Sequence, residues 1–307
     1  MKEYNPMELF DLTKDTLHYK SQNSVYNIKY NADDAHALLN TEHGTPFLHF
    51  EALDAIPCIR HGFSTRLGGV STGDFTTLNL SFARGDEEEA VHQNYERILK
   101  SMDMKENRLA FSDQVHDTII HRVTLEDTYA SHQYEKKLVG IDGLITNEKN
   151  VTLVTSYADC VPLYFVDPVK KAIGLSHSGW KGTVGKIGKK TVEAMVREFG
   201  SEKEDIICVI GPSICFDCYE ISKDVADEFM VNFTNEITSK ILYDKGNGKY
   251  QLDLWLTNKY ILMEAGIPEE NITNSNLCTC CNHTLLFSHR ASQGKRGNLA
   301  AFLSLAE

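Results

Sequence analysis

The sequence predicts a single α/β domain, because strand and helix patterns alternate along the chain. Short β-rich runs such as 161–166 and 172–175 are interleaved with segments such as 184–199, in which apolar residues recur at helical spacing. No internal repeat or low-complexity linker interrupts this alternation. At 307 residues and 42% hydrophobic, the chain is long enough to bury a full core in one domain.

The first 46 residues carry no chemical motif. Residues 17–20 and 25–31 are possible strands, and residues 33–40 are a possible short helix. We interpret this stretch as an N-terminal accessory segment, followed by one functional domain over residues 47–307.

Charge and composition argue against several classes of partner. A formal net charge of −12 without a basic tract is atypical of proteins that bind nucleic acid or anionic lipid. The N-terminus lacks a secretory signal, and no run approaches the roughly 18 apolar residues of a membrane span. We therefore expect a cytoplasmic protein whose eight cysteines are thiols, metal ligands or nucleophiles rather than a disulfide framework.

Two apolar runs around the turn at Asp167-Pro168 predict a β-hairpin in the middle of the chain. Cys160 precedes the first run and His177 follows the second. Because the strands of a hairpin are antiparallel, the start of one lies near the end of the other. The sequence therefore predicts that the Cys160 thiol and the His177 imidazole lie close together.

Two kinds of chemistry suit this pairing, and spacing alone does not separate them. With His116, which lies at the end of another predicted strand, Cys160 and His177 could hold zinc with three protein ligands and leave a position for water or substrate. Asp159 would then orient that water or act as a base. Alternatively, Cys160 is a nucleophile and a histidine is its base, as in amidases and deamidases.

Three further motifs are weaker. The glycine-rich loop at 64–73 carries Arg66, whose guanidinium and neighbouring backbone N–H groups could bind a phosphate or carboxylate. Cys215 and Cys218 have CxxC spacing, but we find no second pair at zinc-ribbon spacing. Cysteines and a histidine crowd into residues 278–283, too closely for four ligands to surround one ion, so we expect packed thiols with one or two site-lining residues there, and a minor metal site is the alternative.

A series of ordered motifs makes the chain recognisable. Together they resemble the multicopper polyphenol oxidase "laccase domain" family, and the resemblance covers roughly residues 47–305. The motifs are HGFSTRLGGVS (61–71), NLSF (79–82), QVH (114–116), DGLIT (142–146), ADCVPLYFVDP (158–168), IGLSHSGWKGT (173–183), GPSI (211–214), CYEI (218–221) and SHR (288–290).

The resemblance implies a fold, a metal and an activity. Members are described as zinc-dependent purine nucleoside phosphorylases with adenosine deaminase activity, built as an α/β sandwich related to toxin deamidases that use a Cys-His pair. The family's metal ligands correspond to His116, Cys160 and His177. The implied substrates are phosphate and the purine nucleosides adenosine, inosine, guanosine and methylthioadenosine, and the implied products are the free base and pentose 1-phosphate.

The resemblance also directs the assignment of the substrate site. Arg66 is the first choice for holding phosphate and Arg290 the second, because a guanidinium matches phosphate oxygens bidentately. Ser64 and Asn79, in neighbouring family motifs, are assigned to the same substrate site.

Two alternative activities remain open. Copper-dependent phenol oxidation, which the family name implies, needs histidines in close HxH pairs, and none of the twelve histidines forms one. A Cys160-dependent hydrolase, such as an amidase or a peptidoglycan-precursor editing enzyme, would retain activity after chelation.

Overall fold

The computed structural model of the chain describes residues 28–32, 35–134 and 138–306. The strands are β1 (Ala37–Asn40), β2 (Phe47–Phe50), β3 (Ile59–Ser64), β4 (Leu109–Asp113), β5 (Ile120–Arg122), β6 (Leu138–Val139), β7 (Gly143–Thr146), β8 (Thr152–Tyr157), β9 (Val161–Asp167), β10 (Ala172–Ser178), β11 (Ile207–Ile210), β12 (Glu220–Ser222), β13 (Leu242–Gly246), β14 (Lys249–Leu252), β15 (Ile272–Asn274) and β16 (Leu299–Leu305). The helices are α1 (Glu51–Asp54), α2 (Glu88–Ser101), α3 (Trp180–Val184), α4 (Ile187–Phe199), α5 (Lys223–Asn232), α6 (Asn235–Ile241), α7 (Leu254–Glu264) and α8 (His289–Ser292).

Two large mixed sheets form the centre of the molecule. Across the described residues, the first has the strand order β1-β2-β3-β16-β8-β4-β6 and the second β15-β11-β9-β10-β7-β5. Strand β10 packs across β8 and β16, so the two sheets lie face to face. A small sheet, β12-β14-β13, lies beside them.

Side-chain alternation along β16 shows why the first sheet is covered on both faces. Leu299, Ala301 and Leu303 pack between the two sheets, whereas Ala300 and Phe302 pack with the cluster that contains α2. The apolar residues of α2 recur at helical spacing and cover that outer face.

Side chains also alternate between the two faces of the second sheet along β9. Tyr164 and Val166 point into the space between the sheets, while Leu163 and Phe165 pack on the side of α4 and α7. The layers are therefore helix, sheet, sheet and helix. The predicted single-domain mixed α/β sandwich is confirmed.

The predicted central hairpin is present as β9 and β10. These strands pair antiparallel, with His177 opposite Pro162 and Ser178 opposite Val161. Cys160 immediately precedes β9 and therefore lies beside the end of β10. The predicted proximity of Cys160 and His177 is confirmed.

The N-terminal segment differs from the sequence-based expectation where the structure describes it. The helix predicted over residues 33–40 is wrong for Ala37–Asn40, which form β1 and pair antiparallel with β2. Pairing with an exposed sheet edge has overridden the local helical preference. The strand predicted at residues 17–20 lies outside the described residues, and the boundary at residues 46 and 47 stays a prediction.

Among the helices of the described residues, none combines the length and the apolar character that crossing a bilayer requires.

Candidate metal centre and adjoining pocket

Three predicted ligands meet at one edge of the sandwich. The ligand atoms of His116, Cys160 and His177 all lie within 4.8 Å of one another. The two imidazole rings are edge to face, with centroids 4.7 Å apart. His177 is buried, Cys160 is half-buried and His116 is exposed, so the group is open on one side.

Asp142 positions both histidines. Its carboxylate accepts hydrogen bonds from the backbone N–H groups of Val115, His116 and Asp117, each at 3.0 Å. It also accepts from Nδ1 of His177 at 2.8 Å, while the backbone N–H of His177 donates to the Asp142 carbonyl at 2.8 Å. One buried carboxylate therefore holds the His116 loop, in which His116 has a left-handed φ of 63°, against β10.

The same contact decides which nitrogen of His177 can bind a metal. Donation from Nδ1 to Asp142 leaves Nε2 free to face Cys160. Burial by itself would lower the pKa of His177, but the neighbouring Cys160 and Asp142 raise the pKa to about 9. Without a metal, His177 therefore favours the imidazolium form at neutral pH.

The donor set fits zinc. Imidazole nitrogen and cysteine sulfur are ligands that zinc prefers, and three protein ligands with an open side are typical of a catalytic site. Partial burial, and then the charge of His177, lower the pKa of His116, so its ring is available in the neutral form that binds metal.

Asp159 lies beside the centre with both carboxylate oxygens engaged. Oδ1 accepts from Thr279 Oγ1 at 2.6 Å, and Oδ2 accepts from the backbone N–H of Arg290 at 2.7 Å. Its φ of 86° is unusual for a residue other than glycine. These bonds hold the turn that presents Cys160 to the two histidines.

A pocket adjoins the metal centre and is lined by residues from both sheets. Phe82 and Tyr134, stacked with centroids 4.3 Å apart, form an aromatic wall. Gln114, Asn298 and Arg296 supply polar groups near Cys160 and the histidines. Aromatic faces beside a few polar groups suit a flat heterocycle that carries polar substituents.

An arginine, Arg296, also lines this pocket. Nη1 donates to the Gly297 carbonyl and to Oδ1 of Asn298, whereas the buried Nε has no hydrogen-bond partner. Burial, and then the nearby charge of Arg84, lower the pKa of Arg296 to about 10. Arg296 therefore stays charged at neutral pH, and its buried Nε is a donor without a partner.

The four residues predicted to bind substrate lie elsewhere. Nε and Nη2 of Arg66 donate to the Thr76 carbonyl and Nη1 to the His283 carbonyl. Arg290 donates to the carbonyls of Cys218 and Glu220.

The remaining two, Ser64 and Asn79, are buried. Ser64 Oγ accepts from the backbone N–H of Ala300 at 2.9 Å. The Asn79 amide bonds to Ser81, Asp86 and the backbone of Asn298. The structure does not bring these residues to the pocket beside Cys160, and their assignment to substrate stays a prediction.

Two residues of the site escaped sequence reasoning. Asp142 entered the sequence analysis only as the first residue of the DGLIT motif. The feature that could have identified it is the position of an acidic residue directly before an apolar strand. Arg296, in a lysine- and arginine-containing turn before β16, carried no motif at all.

A second group of thiols corrects the interpretation of the other cysteines. The Sγ atoms of Cys215, Cys218, Cys278 and Cys281 all lie within 4.8 Å of one another. Cys278 and Cys281 have CxxC spacing of their own, so a second pair lies beside Cys215 and Cys218 in the fold, although not at zinc-ribbon spacing along the chain. A contact over 63 residues, which linear spacing does not reveal, joins the two pairs.

Comparisons with known proteins agree with the family suggested by the motifs. Residues 60–306 match the model of a family described as multi-copper polyphenol oxidoreductase laccase. A Bacillus subtilis protein named purine nucleoside phosphorylase YlmD is 39% identical over 247 residues, which cover 80% of this chain and 88% of that protein. A Bacteroides thetaiotaomicron protein named purine nucleoside phosphorylase is 33% identical over 82% of this chain and 93% of its own length.

A solved structure is similar as well. The crystal structure of YlmD from Geobacillus stearothermophilus superposes with a TM-score of 0.83 at 33% identity, covering 88% of this chain and all of the other.

Proposed function

Because the chain belongs to the multi-copper polyphenol oxidoreductase laccase family and similar members are named purine nucleoside phosphorylase, we propose that it splits purine nucleosides with phosphate. The proposed substrates are adenosine, inosine, guanosine and methylthioadenosine. We extend the proposal to deamination of adenosine and to a zinc ion held by His116, Cys160 and His177. The proposal is supported by an open three-ligand group that lies beside a pocket with an aromatic wall and an arginine whose Nε has no hydrogen-bond partner.

In phosphorolysis, a phosphate oxygen bonds to C1′ of the sugar as the bond from C1′ to the purine nitrogen breaks. Arg296 is suited to hold the attacking phosphate, because it lines the pocket beside the metal centre and an anion would relieve its repulsion with Arg84. Phe82 and Tyr134 are suited to stack on the purine. This arrangement would place the two reactants in one pocket, which is the main contribution a protein can make to such a displacement.

In deamination, water adds to C6 of adenine and ammonia leaves. Zinc, when bound, supplies Lewis-acid chemistry and lowers the pKa of water toward about 7. Asp142 keeps a proton on Nδ1 of His177 and so orients the ring. Asp159 is the proposed proton carrier, a role that requires it to release Thr279 or the backbone N–H of Arg290.

The test is to incubate the purified protein with adenosine or inosine, with and without phosphate, before and after chelation. We expect base release that depends on phosphate, inosine formation from adenosine that does not, and loss of both when zinc is removed. Absence of any purine product from the zinc-loaded protein would overturn the proposal.

A pair of arginine variants tests the phosphate contact. Arg296→Gln should raise the KM for phosphate at least tenfold without loss of zinc, since it removes a charged hydrogen bond. Arg66→Gln is the comparison, because each side-chain nitrogen of Arg66 already donates to a backbone carbonyl. A phosphate KM that rises only in Arg66→Gln would return the assignment to the glycine-rich loop.

A second candidate, a Cys160-dependent hydrolase, is favoured by one observation. Cys160 lies against His177, and the raised pKa of His177 provides the protonated imidazole that pairs with a cysteine nucleophile. The two candidates differ after chelation, because a hydrolase of this kind would release ammonia from an amide substrate without metal, whereas the nucleoside reactions would stop.

A further inference from the structure

The fold brings two distant CxxC segments side by side. Strands β11 and β15 pair in parallel, so the loops that follow them leave the sheet in the same direction. Ser213 and Cys278 continue that pairing as a parallel bridge, with the Ser213 N–H bonded to the Leu277 carbonyl and the Thr279 N–H to the Ser213 carbonyl. The cysteines of both loops therefore point into one space.

The spacing of the four sulfur atoms matches a tetrahedral ion rather than disulfides. With a zinc–sulfur bond of about 2.3 Å, the edges of a tetrathiolate tetrahedron are about 3.8 Å long. All four Sγ atoms lie within 4.8 Å of one another, and those of Cys218 and Cys281 are 3.5 Å apart. A disulfide needs about 2.05 Å, and all eight cysteines are free.

Backbone donors orient one of the sulfurs. The Sγ of Cys278 accepts from the N–H groups of Cys215 at 3.3 Å and Cys281 at 3.4 Å. Such N–H···S contacts fix a ligand sulfur from outside the coordination shell.

The four-thiol site is closed, in contrast to the three-ligand group of His116, Cys160 and His177. Cys215 and Cys278 are buried, and Cys218 and Cys281 are half-buried. Four protein sulfurs complete a tetrahedron and leave no position for substrate, which is typical of structural zinc. We propose that Cys215, Cys218, Cys278 and Cys281 bind a second, structural zinc ion that clamps the loops after β11 and β15.

The clamp would act on the three-ligand group through hydrogen bonds that link the cysteine loops to Asp159. Thr279, within the second CxxC segment, bonds Asp159, and the Ile214 N–H donates to the Asp159 carbonyl at 3.0 Å. Arg290, whose N–H holds the other oxygen of Asp159, reaches the Cys218 carbonyl at 3.1 Å. The second ion thereby stabilises the turn that presents Cys160.

Metal stoichiometry tests this proposal without any reference to turnover. Native mass spectrometry with elemental analysis should find two zinc ions per chain in the wild type and one in His116→Ala. Adding Cys218→Ser to that variant should remove the remaining ion. Cys280→Ser is the matched control, because Cys280 lies in the same loop but outside the group of four, and it should retain both ions.

A spectroscopic measurement covers the case in which Cys218→Ser does not fold. Cobalt bound to His116→Ala should show the intense thiolate-to-metal absorption of a tetrahedral tetrathiolate, and a thiol-blocking mercurial should release zinc from the same folded variant. Zinc-free His116→Ala, iron in place of zinc, or an intact mass that reveals a Cys218–Cys281 disulfide would each overturn the proposal. Loss of nucleoside activity with both ions present would contradict the proposed function and leave this one standing.

Discussion

Asp142 connects the candidate metal ligands to the rest of the molecule through a single carboxylate. It accepts from the His177 ring and from three consecutive backbone N–H groups of the His116 loop. Two loops that approach from different strands therefore share one buried anchor. This anchor explains how an exposed histidine can be held in a left-handed conformation beside Cys160.

Asp142→Asn should weaken zinc binding about 10- to 100-fold, because the outer partner of a metal-binding histidine sets its orientation and tautomer. Competition with a chelator of known affinity measures the change. Asp167→Asn is a suitable control. Asp167 is also fully buried and accepts backbone N–H bonds, but it lies in the turn of the β9–β10 hairpin, at the opposite end from His177. Equal effects of the two substitutions would show that Asp142 has only a structural role.

The pH dependence of zinc binding follows from His177. Its pKa of about 9 in the metal-free protein, where burial is outweighed by Cys160 and Asp142, means that a proton must leave Nε2 as zinc binds. Loss of the His177 proton alone should therefore raise the zinc affinity about tenfold per pH unit between pH 7 and pH 9, with no further gain from this group above pH 9. Zinc titrations in metal-buffered solutions check this, and a flat profile over that range would contradict it.

At the scale of elements, the turn from β10 into α3 is shaped by the metal centre. Gly179, the N-cap of α3, has an ordinary φ of −70°, so the backbone does not require glycine there. A Cβ at this position would lie 2.7 Å from Nδ1 of His116 and 3.2 Å from Sγ of Cys160. The glycine leaves space for the ligands.

Gly179→Ala should reduce zinc occupancy at the three-ligand site while the fold persists, because His116 must move to admit the methyl group. Elemental analysis of the folded variant measures it. Gly188→Ala, inside α4, is the control: its Cβ would meet only methyl groups at 3.3 Å or more, and alanine favours helix by about 1 kcal/mol. Full occupancy in Gly179→Ala would refute the spatial argument.

At the scale of the whole molecule, the site depends on contacts between distant parts of the chain. Cys160 precedes a strand of the second sheet, Gln114 follows a strand of the first, and Thr279 reaches Asp159 across 120 residues. The approach of Gln114 to Cys160 requires the two sheets to be stacked, whereas the bond between Thr279 and Asp159 joins two loops at one end of the second sheet.

Thr279→Val should lower the free energy of unfolding by about 1–3 kcal/mol, because it leaves a buried carboxylate oxygen without its donor. It should also weaken zinc binding at the three-ligand site, since the turn before Cys160 loses a restraint. Thr191→Val removes a buried hydroxyl that bonds the Ser176 hydroxyl at 2.7 Å and the Ile187 carbonyl at 2.9 Å rather than Asp159. We expect this control to lose stability alone, and the pair is compared by chemical denaturation and chelator competition.

Local pattern was sufficient for the features whose causes are local. The β9–β10 hairpin, the helix α4, and the proximity of Cys160 to His177 follow from periodicity, turn residues and antiparallel pairing. The ordered motifs predicted the family and the α/β sandwich, because they span most of the chain.

Only the tertiary structure decided the rest. Arg66 and Arg290 carry the same charge as Arg296, and which arginine has a free donor depends on which carbonyls lie nearby. The four-thiol group arises because β11 and β15 pair in parallel, which brings Cys218 and Cys281 to 3.5 Å across 63 residues. Sequence determined the chemistry available to this protein, whereas packing decided which of those groups meet, since long-range contacts depend on the whole core and not on spacing along the chain.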